Sequence, residues 1–467
     1  MGRNRDVSKG SIDWITLTVF LALLIIGWLM LFAVVYDPTN QYAFLDFSTI
    51  IGKQSIWILI AIAAFIIVYS IDWQFWHTFS FPIYGLAMFL LVLVLLVGSE
   101  IKGARSWFAF GGVSFQPSEF AKFASAIAMS SYLSSYKTDL RTRSSVLISI
   151  GLLSLPILLV LLQPDPGSAL IYFSFFILFY RRGLSGLYYI LGFSIAAIFI
   201  SSLIFDPKLI VLISLILGFG ILMYEAGERW IEAVIFVLIS LVSILFYFRN
   251  LYLYGIGLLF LGIAYCSFLL IRDRAFRTPS MIVITLVVTS ILSFTANPIV
   301  DNLLKPHQQE RVNVWLRPSK SDPFGPRYNI TQSKLAIGSG GLEGKGFLKG
   351  EMTKLNYVPE QTTDFIFSTV GEEQGFIGSF AVIFLFVLLL TRIVIIAERA
   401  NNTFIQNYAY AVAGIIFLHV FINIGMTMGV MPVIGIPLPF LSKGGSALLG
   451  FSIMIGALLR MDSARFR

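Results

Sequence analysis

The chain has 467 residues, of which 57% are hydrophobic and 12% charged, and its 33 Lys and Arg against 25 Asp and Glu give a net charge of +8. Soluble domains carry about 25% charged residues and stop enlarging a single core near about 250–300 residues, so an ordinary soluble enzyme is excluded, and an outer-membrane barrel fails for want of strands alternating apolar and polar residues. An all-α polytopic membrane protein remains, with the basic excess expected from the side bias of its loops rather than from nucleic-acid binding.

Arg3, Arg5 and Lys9 lead into the first apolar run, 14–35, which is too long for the hydrophobic region of a cleaved leader and is expected to be a membrane span. Further runs follow at 51–71, 79–98, 117–134, 145–163, 167–181, 187–205, 208–223, 230–248, 251–271, 280–297, 365–391, 406–430 and 440–460. They make about fourteen apolar segments by the criterion of ~20 residues per span. The runs 167–181 and 208–223 are short enough to be tilted, re-entrant or interfacial. Cys266 is the one cysteine, so no internal disulfide forms and helix packing must supply the stability.

With the N-terminus placed inside, the short basic loops fall on one side: Lys137, Arg141 and Arg143; Arg181 and Arg182; Arg272, Arg274 and Arg277; Arg392 and Arg399; and Arg460, Arg465 and Arg467 at the C-terminus. Such agreement is the signature of cytoplasmic loops. The same topology puts the one long connection, 298–364, outside. It is dense in Gly, Lys, Asn, Gln and Ser, and loops of that length are often functional.

Ionisable groups near spans tend to mark sites, and four groups qualify. Glu119 and Lys122 sit three residues apart, one turn inside a helix opened by Pro117. Arg105 and Trp107 precede them. Asp165 lies between Pro164 and Pro166 at a break between two helices. Glu360, Asp364, Glu372 and Glu373 flank the span after the long connection. Each has a structural alternative: an ion pair closing a helix end for Glu119 and Lys122, a helix cap for Asp165, and helix-start charges for Glu372 and Glu373. Their convergence on the outer face points to a charged cavity open to that side.

Other chemistries lack their motifs. In 338–346, Ser339 stands where a phosphate-binding loop needs its first glycine, Gly346 follows Lys345 in place of Ser or Thr, and Glu343 occupies the last glycine position of a dinucleotide fingerprint. His77, His307 and His419 are isolated, so no zinc cluster is expected, and His419 is expected to pack rather than to ligate. No G-x-S-x-G elbow occurs.

In this order the motifs resemble the SEDS family (shape, elongation, division and sporulation proteins). The matching stretches are Gly103-Ala104-Arg105, Phe115-Gln116-Pro117-Ser118-Glu119-Phe120-Ala121-Lys122 and Gln163-Pro164-Asp165. The long connection adds Asp322-Pro323-Phe324-Gly325, Tyr328-Asn329, Gln332-Ser333, Ala336-Ile337-Gly338-Ser339-Gly340-Gly341 and Gly344-Lys345-Gly346. Pro359-Glu360, Thr363-Asp364-Phe365-Ile366-Phe367 and Gly435-Ile436-Pro437-Leu438-Pro439-Phe440-Leu441-Ser442-Lys443-Gly444-Gly445-Ser446 complete the set. Gln332 to Gly346 resembles the elongation branch rather than the division branch. Ser106, Ile434 and Lys443 depart from the usual second cation, Thr and Tyr. The family has ten spans with one between the Gln-Pro-Asp helix and the long loop, where this chain has five, so about 206–279 resembles an insertion. The implied division is an N-terminal membrane core (1–205), inserted membrane segments (206–279), a span (280–297), a large extracytoplasmic loop (298–364) and a C-terminal membrane core (365–467).

The resemblance implies a peptidoglycan glycosyltransferase of the bacterial cytoplasmic membrane, polymerising lipid II (an undecaprenyl-pyrophosphate-linked disaccharide peptide) during cell elongation, with inversion. It implies Asp322 as general base; the residues alone leave a plain turn at Asp322-Pro323 as the alternative. Arg105, Lys122, Lys334 and Lys345 are candidates to receive the diphosphate charge, with Glu119, Asp165, Glu360, Asp364 and Ser442 as further substrate-site candidates. A divalent cation, Mg or Mn, could assist on the diphosphate, and no nucleotide is expected. Expected partners are a class B penicillin-binding transpeptidase, the elongation machinery and membrane lipids, with no nucleic acid. The alternatives are a flippase for lipid-linked precursors, a division polymerase, and a structural scaffold. Charges gathered at one end, rather than at the midplane, favour chemistry over alternating access.

Overall fold

The computed structural model describes residues 12–36, 49–101, 103–110, 113–226, 230–272, 277–322 and 325–464. Arg3, Arg5, Lys9, Arg274, Arg465, Arg467 and the Pro323-Phe324 pair of the Asp322 motif lie outside them. The chain is an all-α polytopic membrane protein. Its helices are α1 (Trp14–Val35), α2 (Ile50–Ser70), α3 (Trp73–Thr78), α4 (Ser80–Val97), α5 (Pro117–Ser134), α6 (Arg143–Leu162), α7 (Pro166–Ile171), α8 (Phe175–Arg181), α9 (Gly186–Ile204) and α10 (Pro207–Ala226). They continue with α11 (Trp230–Phe248), α12 (Tyr252–Arg272), α13 (Arg277–Pro298), α14 (Pro306–Leu316), α15 (Pro326–Ser339), α16 (Glu351–Lys354), α17 (Ile366–Arg399), α18 (Thr403–Thr427) and α19 (Gly445–Ser463).

All fourteen apolar runs fall on helices, but among the described residues ten are long and apolar enough to cross a membrane: α1, α2, α4, α6, α9, α10, α13, α17, α18 and α19. The described apolar stretches of α11 and α12 are shorter, Val234–Phe248 and Tyr252–Phe268. The run 208–223, short in the sequence reading, is a full helix, whereas 167–181 breaks into α7, a 3-10 turn at Tyr172–Ser174, and α8. Helix α5 fails the hydropathy criterion because it carries Glu119, Lys122 and several serines. It is buried on nearly every side, so its surface meets other helices rather than lipid. Two further departures concern the connections. The stretch 298–364, expected as a loop, is largely helical (α14 to α16), and the apolar-run reading missed a three-stranded antiparallel sheet of β1 (Ser99–Ile101), β2 (Ala104–Phe110) and β3 (Val113–Phe115).

The chain forms two compact units, one from 1–185 with 326–467, the other from 186–325. In the second, α10, α12 and α13 share a core of Val211, Leu212, Leu215, Phe219, Leu222, Leu259, Ile263, Cys266 and Ile282. At the seam of α9 and α13, the buried Arg317 bonds Leu203 O (3.2 Å), Asp301 (2.9 Å) and Asn297, fixing the end of α14 and the turn that leads to Asp322.

The first unit gathers five arginines, Arg181, Arg182, Arg392, Arg399 and Arg460, at one end of its bundle. Arg399 bonds both Asp13 (2.8 Å) and Asp462 (2.9 Å), and Arg392 reaches the same Asp13. Arg460 pairs with Asp72, Arg181 with Glu398, and Arg182 with Asn407 and Gln406. Asp13 also caps α1 through Thr16 N (3.0 Å). Burial raises the Asp13 pKa, but the bonds from Arg392, Thr16 and Arg399 outweigh it and hold the carboxyl at about 2, against 3.8 unperturbed. The folded pKa lies below the unfolded one, so this carboxylate stabilises the fold fully above pH 3.8, and the contribution is lost as pH falls toward 2. The melting difference between wild type and Asp13→Asn, measured by thermal unfolding in detergent, is therefore expected to be constant at neutral pH, to shrink below about 3.8 and to vanish near 2.

Candidate active site

At the opposite ends of α1 and α18 from that arginine cluster, four separate stretches of the first unit meet. Pro117 opens α5, and the preceding Gln116 N–H donates to Ser446 Oγ (3.0 Å), whose hydroxyl donates to Ser114 O (3.2 Å). Gln116 Nε2 donates to Asp165 Oδ2 (3.0 Å). Asp165 also caps α7, accepting from Ser168 N (3.0 Å) and Ser168 Oγ (2.7 Å). Its cap role is thus realised, and the same carboxylate links the helix break to the start of α5. The chain between α18 and α19 folds over this point: Lys443 N–H donates to Thr362 O (2.8 Å), and Ser442 Oγ accepts from Leu438 N (2.8 Å) while donating to Thr363 O. Asn423 of α18 donates to Asp364 O (2.9 Å) and Ile436 O (2.7 Å). Ser442 and Asp364 therefore take part in the joint between 362–364 and 435–443.

One turn inside this joint lies a buried ion pair. Lys122 and Glu119 are 1% and 3% exposed, and Lys122 Nζ donates to Glu119 Oε1 at 2.8 Å. A carboxylate and an ammonium in such a place persist only as partners, because the solvation each has lost is costly unless the other is there. Lys122 also lies 3.0 Å from His419 Nε2, and the far ring nitrogen, Nδ1, is 3.2 Å from Pro437 O. The Phe451 ring stands 5.8 Å from the ammonium and edge-on to the imidazole, centroids 4.9 Å apart. His419 and Asn423 are four residues apart on α18, so both face the same turn. A histidine 297 residues from Lys122 in the chain gives no local signal of this contact.

The remaining sequence candidates are placed as follows. Arg105 is exposed on β2, opposite Glu100 in the strand register. Lys334 is exposed on α15, which is tied to α18 through Ser333 Oγ and Thr427 O (2.9 Å). Glu360 is exposed and accepts from Thr363 Oγ1 (3.1 Å). Asp322 belongs to the other unit, 186–325, and is exposed; its N–H donates to Glu310 Oε1 (2.7 Å) and its carbonyl accepts from Gly325 N (3.4 Å).

Lys345 is engaged elsewhere, with its ammonium 2.8 Å from Glu372 Oε1. Glu372 and Glu373 are fully buried rather than lying as helix-start charges. Glu372 also accepts from Met352 N (2.9 Å), Thr353 N (2.8 Å) and Thr353 Oγ1 (2.7 Å), and Glu373 accepts from Leu348 N (3.3 Å). Two glycines of 338–346, Gly340 and Gly344, serve this packing, each with its Cα against the backbone of 371–374. Gly344 has φ +82°, and a Cβ there would sit 2.2 Å from Glu373 O; Gly375, φ +62°, breaks α17 and faces Gly344 N in the same way, at 2.3 Å. Gly344→Ala is expected to destabilise by at least the about 1–3 kcal/mol of left-handed strain, with the clash added, and a melting curve indistinguishable from wild type would refute this account.

The site also fits no all-protein metal cage: among the described residues no group of three or more His, Cys, Asp or Glu could hold an ion. Oxygen-only coordination of Mg²⁺ by one or two carboxylates plus substrate phosphates remains compatible with the carboxylates present.

Comparison with known proteins bears on the whole chain. It is 29% identical over 473 residues, 99% of both chains, to the peptidoglycan glycosyltransferase RodA of Treponema pallidum. It is 30% identical over 383 residues, 82% of this chain and 77% of the other, to the peptidoglycan glycosyltransferase MrdB of Escherichia coli K12. Among solved structures it superposes with TM-score 0.64 and 24% identity on a chain from a peptidoglycan synthase complex described as coordinating polymerization and crosslinking, covering 98% of this chain and 99% of that one. The model of the FtsW, RodA and SpoVE cell cycle proteins matches residues 13–205 and 255–466, leaving 206–254 unmatched. With both ends of its sequence matched and Gln116, Asp165, His419 and Ser442 all inside the matched segments, the chain belongs to the FtsW/RodA/SpoVE family of cell cycle proteins.

Proposed function

We propose that the protein is a peptidoglycan glycosyltransferase that polymerises lipid II on the outer face of the cytoplasmic membrane during cell elongation. The observation that carries this reading is the match of nearly the whole chain to relatives bearing that activity in their names. The buried ion pair beside a joint of four polar segments supports it, because a protein that only filled the membrane would have no use for so costly an arrangement. The N- and C-termini are assigned to the cytoplasm, supported by the gathering of Arg181, Arg182, Arg392, Arg399 and Arg460 at one end of the first unit.

The reaction moves one glycosyl group. The acceptor sugar hydroxyl attacks the anomeric carbon of the donor, Asp322 takes the hydroxyl proton, and the anomeric carbon–oxygen bond breaks with its electron pair leaving on the diphosphate. A single displacement inverts the anomeric centre. Within the first unit, Arg105 and Lys334 are the exposed cations suited to a diphosphate's charge. Lys122 acts from within the protein, where a low effective dielectric lengthens the reach of its charge. Lys345, bonded to Glu372, is assigned to structure. Mg²⁺ or Mn²⁺, if bound, would travel on the diphosphate and neutralise part of its charge. A class B penicillin-binding transpeptidase is the proposed partner, in keeping with the synthase complex on which the fold superposes.

The test is purified protein in liposomes with lipid II and no other polymerase. Glycan strands resolved by gel electrophoresis support the reading. Movement of lipid II between leaflets without strands would replace it with a flippase, and neither activity would leave a scaffold.

A further inference from the structure

We propose that His419 is a positioning residue for this reaction: it ties the buried Lys122 ammonium to the 435–443 turn and fixes where that charge sits. The role rests on the glycosyltransferase reading and deepens it.

The hydrogen-bond chemistry determines the direction of the link. Pro437 offers a carbonyl and no N–H, so the contact at 3.2 Å requires the proton on His419 Nδ1. The other nitrogen, Nε2, is then a bare acceptor in the neutral ring, and it faces an ammonium at 3.0 Å that can only donate. The chain of donation therefore runs from Lys122 through the imidazole to the Pro437 carbonyl. Lys122 gives a second N–H to Glu119 Oε1 (2.8 Å), which leaves a third. Glu119 Oε2 and Ser118 Oγ are buried with no hydrogen-bond partner among the described residues.

Position matters here because lysine is rotamer-rich and gives up side-chain entropy when immobilised. Two partners on different elements, Glu119 on α5 and His419 on α18, remove that freedom. Asn423, one turn further along α18, bonds Ile436 O at 2.7 Å and Asp364 O at 2.9 Å, so the turn that receives Nδ1–H is itself held rigidly to the same helix. The edge-on contact of His419 with Phe451 fixes the ring plane. Remove the imidazole, and Lys122 keeps its counter-ion but loses its link to the turn.

Two substitutions of similar length separate position from bulk. Gln at 419 can accept from Lys122 through its carbonyl and donate to Pro437 O through its amide. Met fills the space and does neither. In the lipid II polymerisation assay, His419→Met is expected to lower kcat by about 100-fold, the scale of a misplacement of about 1 Å in a catalytic array. KM should stay within about 3-fold for both variants, and His419→Gln should keep kcat within about 5-fold of wild type. Melting temperatures of all three proteins are measured alongside. A folded His419→Met enzyme with wild-type kcat would overturn the role, as would a folded His419→Gln enzyme as slow as the Met variant. If His419→Met does not fold, the Gln variant decides alone. Wild-type protein that makes no strands would defeat the glycosyltransferase reading itself, and this role with it; an active wild type with an indifferent position 419 would defeat this role only.

Discussion

Lys122→Met is expected to destabilise the protein by about 3–5 kcal/mol, the usual penalty for removing one member of a buried ion pair. The magnitude follows from what is left behind. Glu119 is 3% exposed, and its Oε2 already has no partner among the described residues. Without the ammonium at 2.8 Å the carboxylate keeps no charged partner and its buried charge goes uncompensated. The double variant Glu119→Gln/Lys122→Met removes both charges and is expected to recover most of the stability, because neutral replacement of a buried pair is often close to neutral in energy. It should not recover polymerisation. Thermal unfolding in detergent of the two single variants and the double separates these terms. A Lys122→Met protein that melts with wild type would show that the pair is not the electrostatic unit described above.

Asp322→Asn has the opposite profile. The amide keeps the shape of the carboxylate and cannot accept a proton, so strand formation is expected to fall by about 10²–10⁴-fold, the usual contribution of a general base. Stability should change little, because Asp322 is exposed, its backbone holds the turn to Glu310 at 2.7 Å and Gly325 at 3.4 Å, and the amide keeps the side chain's shape and one acceptor oxygen. The two variants therefore dissociate folding from turnover in opposite senses: loss of Lys122 lowers both, loss of Asp322 lowers turnover alone. Asp322→Asn protein that polymerises lipid II at more than about a tenth of the wild-type rate would remove the base from the mechanism.

The spans were legible because the signal for a membrane helix is local: about 20 apolar residues in a row satisfy their own backbone and need no distant partner to declare themselves. The same locality explains where hydropathy fell short. Helix α5 reads as an apolar run, yet it falls short of a lipid-facing span because it hides charges and serines against other helices; the motif from Gln116 to Lys122 marks it by another route. The sheet of β1 to β3 has strands of three, seven and three residues, too short for a periodic pattern to emerge. Within the site, the three-residue spacing of Glu119 and Lys122 was readable as one helix face. The third member, His419, comes from α18, and only the fold joins it to them. The glycines of 338–346 were conspicuous in the sequence, yet the purpose of Gly340 and Gly344 depends on carbonyls at Gly371 and Glu373 approaching closer than any side chain allows. Pattern marked them as constrained; close packing tells what the constraint is.

The guanidinium clamp around Asp13 has a consequence for biogenesis. That acid precedes Arg392 by 379 positions, so at a synthesis rate of about 5–20 residues per second the ribosome delivers its counterpart roughly 20 to 75 s later. Throughout that interval the first helix resides in the bilayer with its terminal carboxylate waiting for a mate. Closure of the ring by α17 and α19 is thus a completion mark written into the chain, which a nascent polypeptide interrupted before its last third cannot carry.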